Sequence, residues 1–105
     1  MIKVKINQGV CGFVTHVEAS SDDGMEVIVK VESSCEHVRK MFAALGDTFD
    51  SYELCLDKPG SGPLYEYAAT NFPSHCGCLA ISGVTKAVEA ECKLALPKDA
   101  SIVFE

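Results

Sequence analysis

The sequence has no tryptophan, and aromatic residues make up only 8% of it. Basic residues are also scarce: nine Lys and Arg stand against fifteen Asp and Glu, for a net charge of -6. A surface of that sign suits neither the phosphate backbone of a nucleic acid nor an anionic lipid surface, so no nucleic-acid and no membrane partner is expected. No apolar run reaches the roughly 18 residues that span a bilayer. The opening residues, Met1 to Ile6, alternate and lack the apolar core of a signal peptide. There is no low-complexity stretch, which excludes a disordered chain. G-x-G-x-x-G, a phosphate loop and H-E-x-x-H are all missing, and the acidic residues are spread along the chain rather than paired. What is present is 105 residues of which 48% are hydrophobic. That is enough for a single domain, residues 1–105, to fold around a core without disulfide staples. A soluble, cytoplasmic protein is the expectation.

Ile2, Val4 and Ile6 alternate with Lys3 and Lys5, the period of a half-buried strand. An extended stretch follows over about 10–19, then the turn cluster Ser20-Ser21-Asp22-Asp23-Gly24, then a strand over about 25–32 carrying Val27, Val29 and Val31. Ser33 and Glu36 have capping-box spacing and open a helix carrying Val38, Met41, Phe42 and Leu45. Tyr52, Leu54 and Leu56 alternate, which predicts a short strand over 49–56. Pro63 suits the first turn of a short helix. A longer helix is predicted from about Cys76–Cys78 to Lys93, with Ile81, Val84, Val88 and Cys92 inward. Ala100 to Phe104 reads as a closing strand. The order β-β-β-α-β-α-α-β predicts an α+β two-layer sandwich, a mostly antiparallel sheet with helices on one face.

The chemistry lies in six cysteines. Cys92 on its helical stripe and Cys55 between two leucines read as small buried hydrophobes. Cys11, Cys35, Cys76 and Cys78 sit near turns or predicted helix starts, where unpaired N–H groups favour a thiolate. With His75 they are candidate ligands for zinc or an iron–sulfur cluster. A second reading is thiol–redox chemistry at Cys76-Gly77-Cys78, since a C-x-C pair can close a strained, oxidising disulfide. A third is a non-enzymatic interaction subunit, with an unknown protein partner or as a homodimer, whose thiols are incidental. Cys35 and His37 are two residues apart on a helix and do not face each other, which counts against a catalytic dyad. Whether the chain is an enzyme stays open on these residues.

Two resemblances bear on the cysteines. Cys11-Gly12 upstream of Cys76-Gly77-Cys78 is similar to the cysteine arrangement of A-type iron–sulfur carrier proteins, although there the C-G-C lies near the chain end. Over nearly its whole length the chain resembles a family of small proteins from methanogens and other anaerobes that has no assigned activity. The matching pieces are Cys11-Gly12-Phe13-Val14-Thr15, Ser34-Cys35-Glu36, His75 with Cys78, and Leu94-Ala95-Leu96-Pro97-Lys98-Asp99. That resemblance implies an anaerobic host and a site built from Cys11, Cys35, His75 and Cys78. It leaves Cys76 as an addition to the family's pattern.

Overall fold

The alternating stretches form a four-stranded antiparallel sheet, and the computed structural model describes residues 1–105. The elements in chain order are β1 (Ile2–Asn7), β2 (Val14–Ser20), β3 (Glu26–Ser33), α1 (Glu36–Leu45), β4 (Thr48–Asp50), α2 (Ser51–Cys55), α3 (Pro63–Asn71) and α4 (Ala80–Glu91). The sheet is a meander in the order β1-β2-β3-β4. Its registers place Val4 opposite Val17, Val17 opposite Val31, and Val27 opposite Phe49. Helices pack against one face only, as the α+β sandwich requires. The other face carries Lys3, Glu18 and Lys30 in one row and Lys5, His16 and Glu32 in the next. Neighbours of alternating charge keep that face solvated. The Lys3–Glu18 pair, at 3.7 Å and exposed, contributes less than about 1 kcal/mol.

The core is one continuous cluster that joins the inward rows of the sheet to Met41 of α1, Leu54 of α2, Leu64 of α3 and Ile81, Val84, Ala87 and Val88 of α4. α4 lies over β1 and β2, and Gly83 meets the side chain of Ile6. α2 is tied to the β2–β3 turn, where Ser51 donates its hydroxyl to the Gly24 carbonyl at 2.6 Å. No helix is long and apolar enough to cross a membrane.

Three local expectations are corrected. Residues 51–55 form a helix, not a strand, because the Asp50 carboxylate accepts from the N–H groups of Tyr52 (2.9 Å) and Glu53 (3.1 Å) and so caps a helical turn. The capping box of Ser33 and Glu36 does not form. Ser33 ends β3, Cys35 is the N-cap of α1 without a side-chain cap bond, and Glu36 pairs with Lys40 at 3.1 Å instead. Ala100 to Phe104 is no strand, since it pairs with nothing. The element order is therefore β-β-β-α-β-α-α-α.

The β2–β3 turn carries a pH-dependent contribution. Asp23 Oδ1 accepts from Met25 N (2.8 Å) and Glu26 N (3.0 Å). These backbone bonds, Met25's foremost, hold its carboxyl below the ordinary 3.8. The folded state thus binds this proton more weakly than the unfolded chain does. The resulting stabilisation is complete above the ordinary value and is lost as pH falls through the folded one. Asp23→Asn should therefore lower the melting temperature near neutrality. The gap to the parent should close in thermal melts taken progressively below pH 3.8; a gap that stays constant with pH would remove the charge from this account.

Candidate thiol site

The three inward rows of the sheet end, at one corner, in polar residues. β1 presents Ile2, Val4 and Ile6 inward, and Gln8 continues that parity one step past the strand. β2 places Thr15 inward and β3 places Ser33 inward, and those two stand opposite each other in register. Gln8 and Thr15 are both buried. The polar groups satisfy one another in a chain. Cys35 N–H donates to Ser33 Oγ at 3.0 Å, and the hydroxyls of Ser33 and Thr15 are 2.7 Å apart. Thr15 donates to Gln8 Oε1, and Gln8 Nε2 points at the Cys78 sulfur at 3.8 Å. A single orientation of the Gln8 amide serves both ends, with oxygen to the hydroxyl and nitrogen to the sulfur.

Cys78 precedes α4 rather than opening it. The helix starts at Ala80, so Cys76-Gly77-Cys78 is a turn two residues ahead of it. Both ends of this loop are anchored. Phe72 caps α3 and stands edge-on to Tyr67, with ring centroids 6.3 Å apart. Phe72 and Cys78 both pack against a small buried cluster of Cys35, Val38 and Ala80. Between the anchors His75, Cys76 and Gly77 are exposed. The result is a loop fixed at its base, with one sulfur at its tip and a second, half-buried, beneath it.

The remaining thiols are set apart by their surroundings. All six cysteines are free. Cys11 is exposed in the turn closed by Gly12 N and Gly9 O at 2.9 Å. Cys92 is buried, as its helical stripe predicts. Cys55 is half-buried and its thiol reaches the Thr85 carbonyl at 3.8 Å. Burial, helped by the negative charge of Glu89 and by Cys92, pushes Cys55 up to about 12. That sulfur stays a thiol and is chemically quiet. It borders an open cleft of about 290 Å³ with Lys58, Ser82, Lys86 and Glu89, and none of the sequence-predicted site residues lines that cleft.

The zinc or iron–sulfur site expected from Cys11, Cys35, His75, Cys76 and Cys78 is overturned. No group of three or more His, Cys, Asp or Glu side chains converges to hold an ion. Cys35 is sealed among apolar side chains, while Cys11 faces solvent on the β1–β2 turn and His75 and Cys76 face solvent together on the loop before α4. The ligand set drawn from the A-type carrier spacing falls with it. His16 and His37 are exposed, and His37 stands beside Phe72 at a centroid distance of 5.8 Å. Cys76 and Cys78 remain as thiols one residue apart with unlike surroundings.

Sequence pattern does not single out Gln8 and Thr15, and it assigns Ser33 to a helix cap. Their signal was parity, since each is a polar residue at a core-facing step of an alternating strand. A family model described as a family of unknown function (DUF6951) matches residues 2–104 of the chain. No curated protein and no solved structure matches it.

Proposed function

We infer the function of this chain from its own side chains, because the chain belongs to DUF6951, a family of unknown function. The reading best supported is thiol–disulfide exchange with a protein or small-molecule disulfide, with Cys76 as the attacking sulfur and Cys78 as the resolving one. The observation that carries it is the split exposure of two sulfurs one residue apart. Cys76 is open to solvent at the tip of an anchored loop, and Cys78 lies half-buried beneath the Gln8 amide. An attacking thiol must be reachable, whereas a resolving thiol needs only to reach its neighbour.

In the exchange, the Cys76 thiolate attacks one sulfur of the substrate disulfide. A mixed disulfide forms, and the other substrate sulfur leaves as a thiolate. The Cys78 thiolate then attacks Cys76 Sγ, closing the Cys76–Cys78 disulfide and releasing the second substrate thiolate. The two protons given up by the cysteines end on the two released thiols. Substrate is reduced and the loop is oxidised. Ring strain in a C-x-C disulfide makes the reverse transfer favourable toward a dithiol acceptor. During resolution the sulfur carries negative charge, and the Gln8 N–H is placed to donate to it. A reducing compartment such as the cytoplasm suits this chemistry.

Treatment of the reduced protein with oxidised glutathione, followed by peptide mass analysis, tests the reading. The expected product is an intramolecular Cys76–Cys78 disulfide. Cys78→Ser should instead stop at a stable mixed disulfide on Cys76, and Cys76→Ser should slow exchange at least tenfold. Equal labelling of Cys11 and Cys76, with no Cys76–Cys78 bond, would favour the second reading. That reading is an interaction subunit with incidental thiols. The observation in its favour is a stretch of exposed apolar residues after α4, Leu96 and Ile102 to Phe104.

A further inference from the structure

β1 is an edge strand of the sheet, and its outer side is bare. Outside the strand ladder, backbone hydrogen bonds involve none of residues 1–7. The segment 99–105 likewise makes no backbone hydrogen bond. It leaves α4 through Lys93, at a positive φ of 60°, and runs on in the open. Its apolar residues are displayed to water: Ile102 is 71% exposed, Val103 76% and Phe104 96%. Exposure of that size on three consecutive apolar residues marks a segment without its partner. β1 has the matching deficit. Its inward Ile2 and Val4 stay half-buried, while Val17 and Val29 on the interior strands are 1% exposed.

We propose that residues 100–104 of one copy of this chain add as a fifth strand to the β1 edge of a second copy, reciprocally, forming a two-fold dimer. In either strand direction the alternation puts Ile102 and Phe104 on the inner face, beside Ile2 and Val4. It puts Glu105 on the outer face with Lys3 and Lys5, where the charges are opposite. Main-chain bonds supply the affinity in such strand addition, and alternate side chains supply the fit. The second copy is the occupant because this chain's own segment lies unpaired while its own β1 edge is vacant. A two-fold exchange fills both edges and closes the assembly. Each added strand offers two large apolar residues to the inner face, Ile102 and Phe104. At on the order of 150 Å² for each, the four side chains of the two segments bury about 600 Å², and the β1 surface they cover adds a comparable area, which reaches the lower bound of a specific interface.

The test is sedimentation equilibrium of the full, reduced chain together with hydrogen exchange of the β1 amides. The expected mass is twice 11.2 kDa, with slow exchange across β1. The variant Ile102→Lys/Phe104→Lys should run at 11.2 kDa with an unchanged circular dichroism spectrum and fast-exchanging β1 amides. A monomeric parent would overturn the proposal. So would a parent that protects β1 at monomer mass, because its own segment would then be the fifth strand. So too would a dimer that survives the double lysine variant. None of these outcomes depends on thiol exchange, so each reading stands or falls on its own data.

Discussion

Gly83→Ala is expected to destabilise the chain by about 1–2 kcal/mol, although in an open helix the same change gains about 1 kcal/mol. A Cβ at Gly83 would overlap Cγ1 and Cδ1 of Ile6, and Ile6 is itself 6% exposed and locked in the core. Cδ1 alone could swing aside. Cγ1 moves only with the rotamer or the strand, so α4 must lift from β1. Overpacking of this kind outweighs helix propensity. In a domain of this size the loss corresponds to a fall in melting temperature of roughly 4–8 °C per kcal/mol. The sharper check is a double-mutant cycle. Ile6→Ala leaves a cavity facing Gly83, and in that background the new methyl has space to enter. Gly83→Ala should then turn from destabilising to neutral or stabilising. Independent, additive costs in thermal or urea unfolding would mean that the helix and strand do not meet as described.

Thr15→Val should have the second large effect. The side chain is fully buried and its hydroxyl stands between two polar groups. Valine keeps the shape and removes both bonds. The Gln8 carbonyl oxygen is then buried without a donor, and the Ser33 hydroxyl loses its acceptor. An orphaned buried polar group costs about 1–3 kcal/mol. Gln8→Leu behaves differently. The Thr15 hydroxyl then has Ser33 to donate to, so the stability loss is smaller. Cys78, however, loses its N–H donor. The two variants should therefore separate: Thr15→Val is the less stable in urea unfolding, and Gln8→Leu is the slower in closing the Cys76–Cys78 bond. If both lose stability and resolving rate in proportion, the amide does nothing for the sulfur beyond holding the fold.

The contrast between these sites shows what was legible in the sequence. β1 to β3 and α4 were readable because their apolar residues repeat with the period of a strand or a helix, and a solvated outer face keeps that period clean. Residues 51–55 were misread because Tyr52, Leu54 and Leu56 alternate by chance over a span too short to distinguish the periods. The deciding residue was Asp50, whose cap lies outside the pattern. Ile102 and Phe104 alternate as a strand should, yet a strand also needs a neighbour, and sequence periodicity says nothing of neighbours. The cysteines failed for a related reason. Residue type and turn placement proposed ligands, but ligation needs sulfurs to converge, and the side chains around Cys35 seal it away. Gly83 was invisible because a close approach belongs to two elements at once.

The sealed cysteines also give the molecule a set of built-in stopwatches. Cys35 lies under the start of α1 and Cys92 ends α4, so the two buried sulfurs belong to different helices. Cys55, half-buried beside the open cleft at the end of α2, is slowed instead by being kept protonated well above neutrality. An alkylating reagent finds Cys11 and Cys76 at once, but it finds Cys35 and Cys92 only when their own helix parts from the sheet. The order in which they are modified is therefore the order in which the helical layer opens, and the rates convert to local opening free energies. The wild-type chain can report which part of its fold yields first without the introduction of a single probe.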